Sequence, residues 1–128
     1  QHTAHVPLIV FHPKLKEPVQ VSSLVSLVDV LPTLISVLEW APSEQAQGRN
    51  LNGLVAPRAV FGSSLGSDYV FDGQWKLIRG PSGQDELYFL PADPLEKNNL
   101  AKLRWPRFSA AASRLRDERR RWELEQAL

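Results

Sequence analysis

An apolar run near the start of the chain limits the folds open to it more than any other feature. Residues 6–11 read VPLIVF, and no polar side chain interrupts them. Runs without polar alternation are typical of strands covered on both faces, as in parallel sheets flanked by helices. Pro7 is compatible with this interpretation because a residue at the start of a strand need not donate to the ladder. The 128 residues offer no parallel partner, so we expect the rest of that sheet to lie upstream of Gln1.

Residues 26–40 have the periodicity of a helix. One face carries its large apolar side chains, namely Leu27, Leu31, Leu34, Ile35 and Leu38. Ser26 is a suitable N-cap. Pro32 removes a backbone hydrogen bond if it lies past the first turn, so the helix either starts late or kinks there. A membrane span is excluded, because Asp29 and Glu39 interrupt the segment well short of about 20 apolar residues.

The second half of the chain predicts an antiparallel sheet followed by a helix. Strand candidates lie at residues 58–62 and 86–90, and residues 68–80 resemble a hairpin whose turn contains Asp72 and Gly73. Pro106 suits the first position of a C-terminal helix over residues 106–128. That helix has an apolar stripe made by Phe108, Ala111, Ala112, Leu115 and Trp122. Between the two halves, residues 41–58 are rich in turn-forming residues and predict a surface connection.

Composition excludes several functional classes. The net charge is +1, and acids are interleaved with the arginines of the C-terminal helix, so nucleic acid is not an expected partner. The chain has no cysteine, which excludes disulfides and thiolate chemistry within it. It has no methionine and no signal-peptide pattern. The chain is either a processed protein or a piece of a longer one. We favour a piece of a longer protein, because the pattern of the first strand is typical of a buried strand.

Three motifs in a fixed order suggest a family. The strand HVPLIVFHP is followed by VDVLPT in the helix, and then by QWKLIRGP, ELY and DPLEKNNLA in the small sheet. Together, from about Val6 to Ala101, they resemble the C-terminal part of the sulfatase family within the alkaline-phosphatase-like superfamily. Each motif alone is weak, but all three in this order form a specific signal.

The resemblance implies an α/β architecture of which this chain is an α+β fragment. Residues 1–42 would be the last strand and helix of a large mixed α/β sheet domain. Residues 43–57 would be a connecting loop. Residues 58–128 would form a small domain with an antiparallel sheet packed against a C-terminal helix.

The resemblance also implies hydrolysis of sulfuric esters by the parent protein. Family members use a formylglycine, made from a Cys or Ser in a Cys/Ser-x-Pro-x-Arg motif, and a divalent cation, usually calcium. Neither that motif nor an Asp-Asp pair is present, so we predict no catalytic residue, metal ligand or cofactor within this chain. The expected partners are the rest of the catalytic domain and a sulfate-ester small molecule or glycan. The compartment is left open, although the family is often exported or lysosomal.

Two sets of residues are candidates for a role in the parent enzyme. Four basic residues could contribute to the rim of a substrate pocket: Lys76, Arg79, His2 and His5. Seven others are interpreted as a structural signature: Asp29, Pro32, Trp75, Asp93, Pro94, Glu96 and Asn99. A calcium loop formed by Asp93, Glu96 and Asn99 is the alternative, but their spacing lacks the alternating oxygen ligands of such loops. We instead expect Asp93 to form an Asx-type turn before Pro94, and Glu96 and Asn99 to bind backbone groups.

Other functions remain open at this point. One alternative is a segment of a phosphodiesterase or phosphonate monoester hydrolase of the same superfamily. Another is a non-catalytic interaction module, in which the C-terminal helix presents Phe108, Leu115 and Trp122 to a partner. Such a module would be stable and monodisperse, whereas we expect the isolated chain to be poorly soluble because an apolar strand would be left uncovered.

Overall fold

A computed structural model describes residues 6–14, 16–18, 20–44, 46–53, 56–103 and 106–126. The chain divides into two compact units, one of residues 6–58 and one that contains everything from Ala59 onward.

The first unit contains a short helix that begins later than the apolar pattern suggests. A 3₁₀ turn spans Leu27–Asp29 and is followed by helix α1, Val30–Leu38. Pro32 is the third residue of α1, where its missing N–H would have no partner within the helix. The late start therefore accommodates the proline without a kink. Glu39 ends the helix in the left-handed conformation, with φ of 56°.

The apolar stripe predicted for this helix does not face the interior of the unit. Its buried positions are instead Asp29, Thr33 and Val37, four residues apart. Leu27 and Leu31 of the predicted stripe are 73% and 43% exposed. Periodicity identifies an apolar face but not which part of the protein covers it.

The predicted strand at residues 6–11 is not formed in this structure. Residues 6–12 have no regular secondary structure, and Ile9 and Phe11 are 90% and 92% exposed. A strand needs a hydrogen-bonded neighbour, and none of the described residues supplies one. The apolar run therefore lies open to solvent.

The second unit contains a four-stranded antiparallel sheet in the order β1-β2-β3-β4. Its strands are β1 (Val60–Ser64), β2 (Ser67–Phe71), β3 (Trp75–Arg79) and β4 (Asp85–Phe89). All three pairings join consecutive strands, so this part of the chain is a simple meander. The predicted sheet is confirmed, with each strand within two residues of its expected start.

Helix α2, Pro106–Gln126, covers one face of the sheet. The sheet contributes Val70, Leu77 and Leu87 to the core, which lie opposite each other in register. The helix contributes Phe108, Ala112 and Leu115. Fully burying an aliphatic or aromatic side chain of this size contributes about 1.5–3 kcal/mol, so this cluster is the main source of stability in the unit. The α+β fold class is confirmed.

The end of α2 differs from the predicted stripe. Trp122 remains 39% exposed, and its ring stacks on Phe61 of β1 with centroids 5.2 Å apart. It therefore packs at the margin of the sheet rather than in the core.

Two hairpin turns use positive φ angles in different ways. In the β2–β3 turn only Gly73 is in that region, at φ of 102°. The Asp72 carboxylate instead accepts hydrogen bonds from the N–H groups of Gln74 and Trp75, at 2.9 and 2.7 Å. In the β1–β2 turn both Leu65 and Gly66 are left-handed, at φ of 51° and 75°.

We expect Leu65→Asn to stabilise the protein. Leu65 is 99% exposed, so its side chain contributes little packing, while a left-handed backbone costs a non-glycine residue about 1–2 kcal/mol. Asparagine tolerates that conformation, and the free energy of unfolding in urea should rise by about 1 kcal/mol. Leu65→Val, which is stiffer at this φ, should lower it. An asparagine variant no more stable than the parent would contradict the turn assignment.

Candidate functional site

Asp29 is the most deeply buried charged group in the described part of the chain. Its side chain is fully buried directly before α1. One carboxylate oxygen accepts the N–H of Arg49 at 2.7 Å, and the other accepts the N–H of Ser26 at 2.7 Å and the guanidinium of Arg58. A buried carboxylate is tolerated only when it is paired and hydrogen-bonded in this way.

Thr33 extends this arrangement by one turn of the helix. Its hydroxyl donates to the carbonyl of Asp29 at 2.6 Å and accepts the N–H of Leu51 at 3.0 Å. Gly48 passes so close to the backbone of Val28 that a Cβ there would overlap it. Asp29 and Thr33 thus hold residues 48–51 against α1. No periodicity links these positions to Asp29, and sequence reasoning missed Thr33, Arg49 and Arg58 for that reason.

Lys76 forms an ion pair on the face of the sheet opposite α2. Its ammonium lies 3.0 and 3.1 Å from the two carboxylate oxygens of Glu96, and 5.0 Å from the centre of the Tyr69 ring. The side chain is only 8% exposed, so Lys76 does not lie on a solvent-facing surface. A lysine loses too much hydration to be buried alone, and Glu96 supplies the compensating charge.

Glu96 binds this lysine rather than the backbone groups expected for it. The residue is left-handed, with φ of 56°, and its side chain is 13% exposed. Burial alone would raise the pKa of Glu96, the hydrogen bond and charge of Lys76 act in the opposite direction, and the pKa is lowered overall. The carboxylate therefore stays ionised in its half-buried position.

Arg79 lies on the other face of the sheet from Lys76. Its Nε donates to one oxygen of Asp85 at 3.0 Å, and Nε of Arg116 on α2 donates to the other at 2.7 Å. Lys76 and Arg79 therefore do not converge on one surface, and each is already bound to a carboxylate. His2 and His5 lie outside the described residues. The pocket-rim role of these four residues stays a prediction.

The turn that contains Asp93, Pro94 and Asn99 fastens the chain to strand β4. Asp93 accepts the N–H groups of Lys97 and Asn98, at 3.0 and 2.8 Å, and these bonds lower its pKa. The side-chain oxygen of Asn99 accepts the N–H of Leu87 at 3.1 Å and that of Ala101 at 2.9 Å. A backbone bond from Leu100 to Leu87 completes the attachment at 2.8 Å. The interactions seen here are all structural.

Trp75 lies on the face of the sheet that packs against α2. Its ring centre lies 4.7 Å from that of Phe89 and 5.8 Å from that of Phe108. It joins the last strand and the helix, which fits a structural position.

The described residues contain no cluster of metal-ligating side chains. Among them, no group of three His, Asp or Glu side chains is arranged to hold a metal ion. A cavity of about 100 Å³ between α2 and the preceding loop is lined by Leu100, Leu103, Ser109, Ser113 and Arg116, among others. In the same part of the chain, no helix combines the length and apolar character needed to cross a membrane.

The sequence has relatives among the arylsulfatases. No protein-family model matches it. It is 32% identical to Arylsulfatase K of Mus musculus over an alignment of 121 positions, and 31% identical to that of Gallus gallus. Each alignment covers 77% of this chain but only 22% and 23% of the relative. The chain thus spans about a fifth of the length of the curated relatives it matches.

Solved structures share the fold. A 2-O GAG sulfatase superposes with a TM-score of 0.62 at 22% identity, covering 76% of this chain and 24% of that protein. A second structure, which holds its substrate D-glucosamine-2-N,6-O-disulfate, superposes at 0.55 with 18% identity, covering 73% and 23%. The predicted resemblance to a C-terminal segment of the sulfatases is confirmed.

We expect Asp29→Asn to destabilise the protein by about 3 kcal/mol, because it leaves the largely buried Arg58 guanidinium without a counter-charge. The free energy of unfolding in urea measures the effect. Asp117→Asn is the matched control, since Asp117 is exposed on α2 and forms no ion pair in the described part of the chain. If the two substitutions lower the free energy of unfolding equally, the Asp29 ion pair does not contribute more to stability than an exposed carboxylate.

Acid should destabilise the second unit in part through Asp85. Burial alone would raise the pKa of Asp85, but hydrogen bonds from Arg79 and Arg116 lower it below its usual value. A depressed pKa in the folded state contributes stability above the unfolded value of about 4, and that stability is lost as pH falls through the folded value. The unfolding free energy should therefore decline below about pH 4.

Asp85→Asn should make that acid decline shallower in urea titrations at successive pH values. Asp68→Asn removes an exposed carboxylate without a described ion pair and serves as the control. An unchanged slope in the Asp85 variant would exclude this carboxylate as a source of the acid sensitivity.

Proposed function

We propose that this chain is the C-terminal portion of a sulfatase, a hydrolase of sulfuric esters, and that it performs a structural role in that enzyme. The names of its relatives and the fold that it shares with a sulfatase support the proposal. None of the relatives described above carries the name of a phosphodiesterase or phosphonate hydrolase, which favours the sulfatase over that alternative.

The observation that carries the proposal is the uncovered apolar surface of the first unit. Ile9 and Phe11 are almost fully exposed, and Leu27 and Leu31 add the outer side of α1. Large exposed apolar patches are typical of surfaces that another part of a protein covers. The relatives are more than four times as long as their match to this chain, so the remainder of such a protein is large enough to cover them. Residues 6–11 would then add a strand to the sheet of the large domain.

The described residues support the enzyme without entering the reaction. Asp29 and Arg58 hold the connection after α1, and Lys76, Arg79 and Glu96 are engaged in ion pairs. The chemistry would use a formylglycine nucleophile and a divalent cation, calcium in most of the family, both held by residues upstream of Gln1. The described residues do not fit such a metal site. We therefore assign no reaction step to them.

The substrate class that we propose for the parent enzyme is a sulfate ester of a saccharide. One structural neighbour is a 2-O GAG sulfatase, and another holds a sulfated glucosamine as its substrate. These likenesses concern the fold, so the proposal depends on an activity test with sulfated saccharides alongside a simple aryl sulfate.

The decisive measurement is the intact mass of the native protein in its source, followed by peptide mapping. We expect a protein much heavier than the 14.4 kDa of this chain, containing a formylglycine peptide and releasing sulfate from an ester substrate. A native product of 14.4 kDa would overturn the proposal and favour a free-standing interaction module.

The covered surface can be tested separately in the full-length protein. Ile9→Asp with Phe11→Asp should sharply reduce soluble yield and sulfatase activity, because two charges would be buried without partners. Leu65→Asp is the control, since Leu65 is a similarly exposed apolar residue in the second unit. If both variants behave like the parent, residues 6–11 are not covered in the enzyme.

A further inference from the structure

The loop that follows α1 carries an unusually unrestrained Asn-Gly pair at its tip. Asn52 and Gly53 lie between Arg49 and Ala56, which are joined by a hydrogen bond of 3.5 Å from Nη1 of Arg49 to the carbonyl of Ala56. Asn52 is exposed, and its side chain forms no hydrogen bond within the described part of the chain. Only its backbone N–H is held, by the side-chain oxygen of Asn50 at 2.9 Å.

Gly53 leaves the neighbouring backbone free of steric hindrance. Its φ is 130°, a region that favours glycine, and no atom lies within 4 Å of the position that a Cβ would occupy. An asparagine amide can be attacked by the backbone nitrogen of the next residue only when that residue is small and the local chain can rotate. Gly53 meets the first condition, and the exposed Asn52 side chain has no hydrogen bond in the described part of the chain that would hold it away from Gly53.

We propose that Asn52 is a site of spontaneous deamidation through a succinimide. The backbone nitrogen of Gly53 attacks Cγ of Asn52, and a new N–C bond forms. The bond between Cγ and the side-chain nitrogen breaks, and ammonia leaves with the proton of the Gly53 amide. Solvent water then opens the ring at either carbonyl, which gives aspartate or isoaspartate. No oxidant, reductant or enzyme is required.

Other pairs of the same chemical type are restrained by their contacts. Asp72 precedes Gly73, but one of its carboxylate oxygens accepts two backbone N–H groups and the other pairs with Arg114. The side-chain oxygens of Asn50 and Asn99 are likewise bound to backbone N–H groups. The structure therefore distinguishes position 52 from these three positions and provides Asp72 as an internal comparison.

The modification would act on the attachment of the loop to α1. Isoaspartate adds a carbon to the backbone directly after Leu51, whose N–H is bound by Thr33 at 3.0 Å. Both products also place a new negative charge three residues from Arg49. We expect the N–H of Leu51 to exchange faster with solvent after modification, because its hydrogen bond is short-lived when the backbone is displaced.

The test is ageing of the full-length protein that carries this chain, at neutral pH and physiological temperature. Tryptic peptides of residues 50–58 and 59–76 are mapped over time, and isoaspartate is detected by enzymatic methylation. We expect isoaspartate and aspartate to accumulate at position 52, with little or no isoaspartate at position 72. Asn52→Gln is the matched control and should lose the signal in the first peptide, because cyclisation through the longer side chain is much slower.

A denatured sample separates conformation from sequence. If Asn52 reacts in urea but stays intact in the native protein, the loop restrains it and the proposal is overturned. A native rate at position 72 equal to that at position 52 would also overturn it. The inference does not depend on sulfatase activity, so either result leaves the proposed function to its own test.

Discussion

A few carboxylate and amide oxygens bind backbone N–H groups that no helix or strand satisfies, and the irregular segments of this chain depend on them. Asp29 receives two such groups, Asp93 two and Asn99 two. An unpaired buried backbone group costs free energy comparable to a lost hydrogen bond. These side chains therefore determine where the chain can turn after α1 and after β4. Their position in the family motifs follows from this physical task.

The two units bury their apolar side chains to different extents. In the second, the sheet and α2 enclose their own core, with Leu87 and Leu115 fully buried. In the first, the buried positions of α1 include a charged and a polar side chain, while Ile9 and Leu27 remain exposed. A unit whose interior is polar and whose apolar face is open gains little from burial within itself. This imbalance, more than any single motif, supports a large covering domain.

Much of the second unit was predictable because its signals are local. Alternating strands, the glycine of the hairpin and Pro106 each act over a few residues. The ion pairs were not predictable, since Asp29 with Arg58 and Lys76 with Glu96 bridge 29 and 20 positions. The side of α1 that is buried in the first unit was not predictable either, because an apolar stripe does not indicate which neighbour it meets. The family resemblance was predictable from the motifs, whereas the contacts of each motif residue could be identified only in the structure.

The motif residues make contacts that the small sheet needs, and this gives the motif a physical basis. Replacing Asn99 would leave the N–H of Leu87 without its acceptor at the sheet edge. Replacing Glu96 would leave Lys76 buried without its counter-charge. Such residues are constrained by the contacts that they make in the scaffold. The similarity to sulfatases therefore indicates that this chain has the same scaffold. Activity does not follow from a scaffold alone, because it depends on the groups that the scaffold positions.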